Sequence, residues 1–161
     1  LLITLSISCL VMNIDQLKKL NFPLYKFKFK IKNNKTYIFD VIRKKFIVLN
    51  PEEWVRQNVI KNLIEKDVSF NHIAVEKKFV VNNLQKRFDI VVFDRNSNVL
   101  LLVECKSNDI KIDQKVFDQI AIYNKSINSK FMMVTNGLDH YYYKIYQSKK
   151  KYKFLNKFPL K

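Results

Sequence analysis

The segment from Arg87 to Lys106 joins two apolar runs, RFDIVVFD and VLLLVECK, through the polar loop RNSN. It constrains the fold more than any other stretch of the chain. Loops of four or five residues commonly close hairpins, and Asn96, Ser97 and Asn98 favour turns, so the runs read as an antiparallel pair with Asp94 facing Val99. Counting back along both strands sets Asp89 opposite Glu104, with their Cβ atoms about 4.5–5.5 Å apart on one face. Period-two alternation puts Lys106 on the face of Glu104 and turns Val103 and Cys105 the other way, into apolar company. Opposed carboxylates destabilise a sheet or drive one pKa upward unless a cation lies between them. A divalent metal meets that need. The plainer alternative is an ordinary Glu104–Lys106 charge pair with Asp89 half exposed beside it.

The rest of the chain frames this hairpin. A short amphipathic helix is expected from Asn13 to Leu20, ended by Pro23. Lys26, Lys28, Lys30 and Lys32 then alternate with Phe27, Phe29 and Ile31, the period of a half-buried strand. Asn33-Asn34 turns it into a second strand at Thr36 to Phe39, and a third follows around Phe46 to Leu49. The lysine row reads as a solvated face that discourages edge pairing. Asn50-Pro51-Glu52-Glu53 reads as an N-cap, a first-position proline and first-turn acids, which predicts a helix from Pro51 to about Lys66 with Val55, Val59 and Leu63 buried. Either Glu52 or Glu53 can look into a site on the hairpin, or both can simply cap the helix. Arg56 is placed to pair with Glu52 at i+4. His72 to Val81 is the next strand. After the hairpin, a helix is expected over Asp109 to Asn128, with Gln119 and Tyr123 four apart on one edge that can face back to Glu104 and Lys106. Phe131 to Thr135, reached by a crossover through that helix, should pair parallel with a core strand. His140 to Gln147 is the last strand expected, and the basic stretch to Lys161 reads as a docked terminal strand with a wet face.

The chain's 161 residues, 48% hydrophobic, suit one domain with a real core. The net charge of +16 invites a polyanionic partner. Its cations are 26 lysines against 4 arginines, a usage typical of AT-rich coding, and lysine supplies point charges for phosphate and not the planar fork that reads guanine edges. Cys9 and Cys105 give no disulfide framework, which fits a reducing cytoplasm. The opening LLITLSISCLVM is too short to span a bilayer. Residues 1–12 are therefore expected to be an upstream extension before Met12, with 13–161 a single domain whose core is about 51–147. No membrane association is expected. Isolated His72 and His140 exclude a Cys/His zinc site or HExxH, and a single glycine excludes a phosphate-binding GxxxxGK[ST] loop and its motor.

Asp89 followed by Glu104-Cys105-Lys106 resembles the signature of the PD-(D/E)XK nuclease superfamily, with Phe88 standing where the name has proline. Gln119 to Tyr123 is similar to the QxxxY motif that a subset of that superfamily carries on the next helix. PEEWVRQ at Pro51 to Gln57 and VTNG at Val134 to Gly137 resemble the amino-terminal nuclease domain of the restriction subunit of type I restriction-modification enzymes, including stand-alone versions, over about Phe22 to Phe158. The resemblance implies an α/β (α+β), restriction-endonuclease-like mixed sheet flanked by helices, here with an N-terminal β-hairpin extension. It implies a Mg²⁺- or Mn²⁺-dependent deoxyribonuclease, an endonuclease before an exonuclease, acting on DNA through phosphate contacts, with other restriction or repair subunits as further partners. Asp89, Glu104 and the Cys105 carbonyl would be metal ligands, Lys106 would act on the attacking water, Gln119 and Tyr123 would position substrate, and Glu52 or Glu53 would assist. The alternative is a catalytically silent module of the same fold that holds nucleic acid or a partner subunit.

Overall fold

The computed structural model describes residues 17–146 and 151–160. Residues 1–12, expected as an extension, lie outside it. So do residues 13–16 of the expected first helix; residues 17–20 are not helical, and Leu20 packs into the core.

β1 (Phe29–Lys32), β2 (Lys35–Asp40) and β3 (Lys45–Val48) form an antiparallel sheet in that order. The N-terminal extension is the expected β1–β2 hairpin with the expected third strand added, and Lys44, with a positive φ of 52°, helps turn the chain back along β2. α1 (Pro51–Glu65) follows, begun as expected: Asn50 accepts the Glu53 N–H at 2.7 Å, and Pro51 occupies the first turn. Then come β4 (Ile73–Val81), β5 (Leu84–Phe93), β6 (Val99–Cys105), α2 (Gln114–Ile127), β7 (Phe131–Thr135), β8 (His140–Tyr146) and β9 (Lys151–Leu155). These seven elements supply a six-stranded sheet, ordered β4-β5-β6-β7-β8-β9. Every neighbouring pair is antiparallel except β6 and β7, which the α2 crossover makes parallel. β9 carries the sheet beyond the expected core end at 147. α2 begins five residues later than expected. The Asp113 side chain caps it on the Val116 N–H, after a turn at Ser107–Ile110 and the buried Ile112.

Asparagine replaces glycine at the turns of this chain. Asn33-Asn34 and Asn82-Asn83 all have φ between 50° and 61°, the pair of left-handed residues a two-residue primed hairpin requires. They close β1 on β2 at Lys32↔Lys35 and β4 on β5 at Val81↔Leu84.

Each face of the large sheet carries one helix. Val55, Val59, Ile60 and Leu63 of α1 pack on Ile90, Val92, Leu101, Val103 and Cys105. On the other side, Phe117 and Ile120 of α2 pack on Phe88, Val91, Leu102, Met132 and Val134. The lone glycine sits under α1. Gly137 has φ +84°, and a Cβ there would lie 2.8 Å from a Leu20 methyl and 3.1 Å from a Val55 methyl. Gly137→Ala is expected to lose more than about 1 kcal/mol, measurable by urea unfolding, since it adds left-handed strain to the clash.

Candidate active site

Asp89 lies where the strand pattern breaks. On its β4 side the pairs run Val75↔Ile90 and Lys77↔Phe88, while Glu76 between them has φ 54°. Within β5, Ile90 and Val92 pack toward α1, and Phe88 and Val91 pack toward α2. Residues three apart share a face only if alternation fails between them, and Asp89 is inside that interval. On its β6 side the ladder runs from Val92↔Leu101 to Ile90↔Val103. The Lys106 N–H goes to Thr135 of β7 at 2.8 Å, so the Cys105 N–H points to β5, where it meets the Asp89 carboxylate at 2.6 Å. The Asp89 side chain therefore wedges into the sheet where the main chains part.

The turn differs from expectation by one residue. Phe93, not Asp94, faces Val99, and a bulge leaves Leu100 unopposed. Asp94 instead caps the loop, accepting the N–H groups of Asn96 and Asn98 at 2.8 and 2.9 Å. The bulge absorbs the error: from Val92↔Leu101 inward the register is the expected one, and its continuation brings Asp89 beside Glu104.

Glu104 and Lys106 meet directly, Nζ to Oε1 at 2.8 Å, with both side chains partly exposed. Burial and the charge of Asp89 hold the Glu104 carboxyl above its usual range, and the Lys106 hydrogen bond offsets part of this. Burial alone would lower the Lys106 ammonium, but the bond and charge of Glu104 outweigh it and raise its pKa. Cys105 is fully buried, and burial pushes its thiol well up, so its sulfur is no nucleophile. Its carbonyl shares the β5-facing edge with its N–H. Two carboxylates and a carbonyl are thus the oxygen donors available to a hard cation.

The cation beside Asp89 that the opposed acids demanded is first of all Arg56. Its Nη2 lies 2.5 Å from Asp89 and 3.0 Å from Glu52, and its Nη1 pairs with Glu53. Sequence reasoning reached only the Glu52 contact. Glu53 is turned away from the hairpin into a buried cluster, bonded by Arg43 at 2.5 Å and Gln57 at 2.8 Å. Arg43 also grips Asp40 at 2.6 Å and Glu76 at 2.8 Å. Of the two first-helix acids, Glu52 is the one whose charge reaches both Glu104 and Lys106. Arg43, Asp40 and Gln57 were missed, although one signal pointed to them. A chain that writes its cations as lysine 26 times keeps 4 arginines, and Arg43 and Arg56 each serve three carboxylates in this network, where a guanidinium fork reaches partners that lysine cannot. Arg87 makes a single 3.4 Å contact with Glu76.

Gln119 and Tyr123 are joined, Nε2 to hydroxyl at 3.2 Å, on the exposed edge of α2. The Tyr123 ring packs edge-on to Phe88 at 6.4 Å, one residue before Asp89, and carries Lys86 at 4.6 Å. Hydrogen bonds from Lys86 and Gln119 lower its phenol pKa. Neither residue bonds Asp89, Glu104 or Lys106; they flank the site through Phe88.

Among the described residues, no three His, Cys, Asp or Glu side chains converge as a self-sufficient metal cage. No helix of the described residues is long and apolar enough to cross a membrane. No curated protein compared with the chain matches it. A solved structure that does match is a fragment described as an HsdR subunit of a type I restriction enzyme from Vibrio vulnificus. It aligns with a TM-score of 0.51 and 23% identity over 70% of this chain. The likeness establishes a restriction-endonuclease-like fold, and this chain covers 24% of that one. A family model described as "Type I restriction enzyme R protein N terminus (HSDR_N)" matches residues 51–159, from the start of α1 past the end of β9. With two thirds of its length inside that match, the chain belongs to the family of type I restriction enzyme R protein N termini.

Proposed function

We propose that this domain is a metal-dependent nuclease that hydrolyses DNA phosphodiester bonds at the Asp89–Glu104–Lys106 end of the sheet. One observation carries the reading. In a chain of net charge +16 with 14 carboxylates, five of them (Asp40, Glu52, Glu53, Glu76 and Asp89) are joined in one ion network by Arg43, Arg56 and Arg87, and a sixth, Glu104, lies at its edge near Asp89 with Lys106 as its paired cation. Two negative charges are left over, and burial together with the charge of Asp89 raises the Glu104 pKa. A hard divalent cation, Mg²⁺ or Mn²⁺, fits that deficit and the all-oxygen donor set. Asp89 has one donor on each oxygen, and a carboxylate oxygen has a second lone pair to give.

Asp89, Glu104 and the Cys105 carbonyl would hold the ion, with waters completing the shell. When bound, it supplies polarisation of the scissile phosphate and a coordinated water of lowered pKa. Lys106, tethered to Glu104, orients the attacking water and donates to the phosphate oxygens as negative charge builds. Gln119 and Tyr123 position the strand being cut.

The test combines metal titration with cleavage. Mg²⁺ or Mn²⁺ should raise Tm, by about 2.7 kcal/mol of stabilisation at a hundredfold excess over Kd. Lys106→Ala should keep that rise and lose roughly 10²–10³-fold in plasmid nicking rate, the scale of losing one preorganised donor. Absence of both the Tm rise and cleavage in the unmodified protein would favour the silent module. That second reading draws support from Arg56, which already serves as counter-ion to Asp89.

A further inference from the structure

Strands β4 and β5 outrun the sheet. Their pairing continues to Val81↔Leu84, whereas β5 and β6 pair only from Ile90↔Val103 onward and β6 ends at Cys105. Residues 77–88 therefore project past Asp89 as a two-stranded ribbon, five residues a side and about 17 Å long at the usual rise per residue. A free hairpin is marginal in water. This one is held on a single face, where Phe79 packs on Phe88 at 5.9 Å, Phe88 on Tyr123 and Lys86 over the same ring.

The opposite face has no such support. Alternation and register put Lys78↔Arg87 and Val80↔Gln85 on it. Val80 on this face is 70% exposed; Leu84, paired with the buried Val81 at the tip, lies on the supported face and is 61% exposed. Lys77, Lys78, Lys86 and Arg87 fall within twelve residues that contain no acid, Lys78 and Arg87 on this face and Lys77 and Lys86 on the supported one. Lys78 and Arg87 are directly opposed across the strands, a like-charge placement that costs stability and that Glu76, 3.4 Å from the exposed Arg87, offsets only in part. A polyanion lying along that face removes the cost.

We propose that this ribbon is a duplex-DNA grip, entering a groove and holding the backbone so that a phosphate is presented to the Asp89–Glu104–Lys106 end beside its root. A B-DNA major groove about 12 Å wide and about 8.5 Å deep admits a two-stranded ribbon, and this one is longer than the groove is deep. The grip rests on the nuclease reading for its purpose but not for its test, because binding is read without metal.

Lys78→Glu separates the grip from a general basic surface. The substitution sets opposite charges across the ribbon, so Tm should hold or rise. Affinity for a short duplex in EDTA should nevertheless fall at least about tenfold, and the slope of log K against log salt should drop by about one. Lys26→Glu, the same charge change on the exposed row before β1, is the control and should cost several-fold less; Arg87→Gln should reproduce part of the Lys78→Glu loss. A single strand should feel Lys78→Glu much less than the duplex. Equal losses from Lys78→Glu and Lys26→Glu, an equal loss on the single strand, or duplex binding unchanged by Lys78→Glu would each overturn the ribbon as the grip. Duplex binding that depends on Lys78, with no cleavage by the unmodified protein in Mg²⁺ or Mn²⁺, would instead count against the nuclease reading alone.

Discussion

Glu104→Gln is expected to abolish metal-dependent cleavage, by at least about 10³-fold on the scale of removing preorganised charge from a reaction centre, while making the metal-free protein more stable. The sign follows from the charges. The folded-state pKa of Glu104 is raised by burial and by Asp89, so the folded protein binds that proton more tightly than the unfolded chain does. Ionised Glu104 is then an unfavourable contribution at neutral pH, relieved as pH falls through the raised pKa. Glutamine cannot ionise and still accepts from Lys106. Removing one of two opposed like charges should return roughly 0.2–1 kcal/mol, or up to a few degrees in Tm for a domain of this size. That gain should be present at pH 7 and shrink as pH enters the carboxylate range. Adding Mn²⁺ should reverse the order of the two proteins, because only the one with Glu104 gains a strong ligand. Scanning calorimetry across pH, with and without metal, reads all three effects. A variant less stable than its parent in EDTA at pH 7 would remove the charge-deficit argument.

Arg56→Leu is expected to be the most destabilising single change in the ion network, at about 3–5 kcal/mol, the cost of breaking a buried pair and stranding its partners. The side chain is 5% exposed and serves Asp89, Glu53 and Glu52 together; without it, two buried carboxylates lose their shared guanidinium. Arg56→Lys keeps the charge but cannot span three acceptors, and it should recover only part of the loss. Urea unfolding of the three proteins checks the order. If lysine restored full stability, the fork geometry would be irrelevant and the rarity of arginine here would mean nothing. A second consequence concerns the site: with Arg56 gone, Asp89 is freed of its resident counter-ion, so the metal concentration needed to raise Tm should fall in any variant that still folds.

How much of this was legible beforehand depends on the range of each interaction. Asn50-Pro51 started α1 where expected because capping is a matter of a few neighbouring atoms, and the apolar runs of β5 and β6 needed only period-two alternation to be recognised as strands. The placement of Asp89 beside Glu104 survived a mistaken turn, since Leu100 bulges out and restores the count. The start of α2 was misplaced for a related reason: Asp109 and Asp113 are equivalent caps by composition, and burial of Ile112 chose between them.

The amino-acid sequence by itself determined the order of the elements, the Glu104-Cys105-Lys106 strand end and the resemblance that implied a nuclease fold, because periodicity, caps and motif spacing are short-range properties. Only the tertiary structure decided that Arg56 holds Asp89, that Glu53 belongs to Arg43 and Gln57, and that β4 and β5 extend past the site as a basic ribbon. The Arg43–Glu53 and Arg56–Asp89 contacts depend on residues 10 and 33 positions apart meeting in one desolvated volume, and the ribbon on where one strand stops relative to its neighbours, neither of which leaves a periodic trace in the chain.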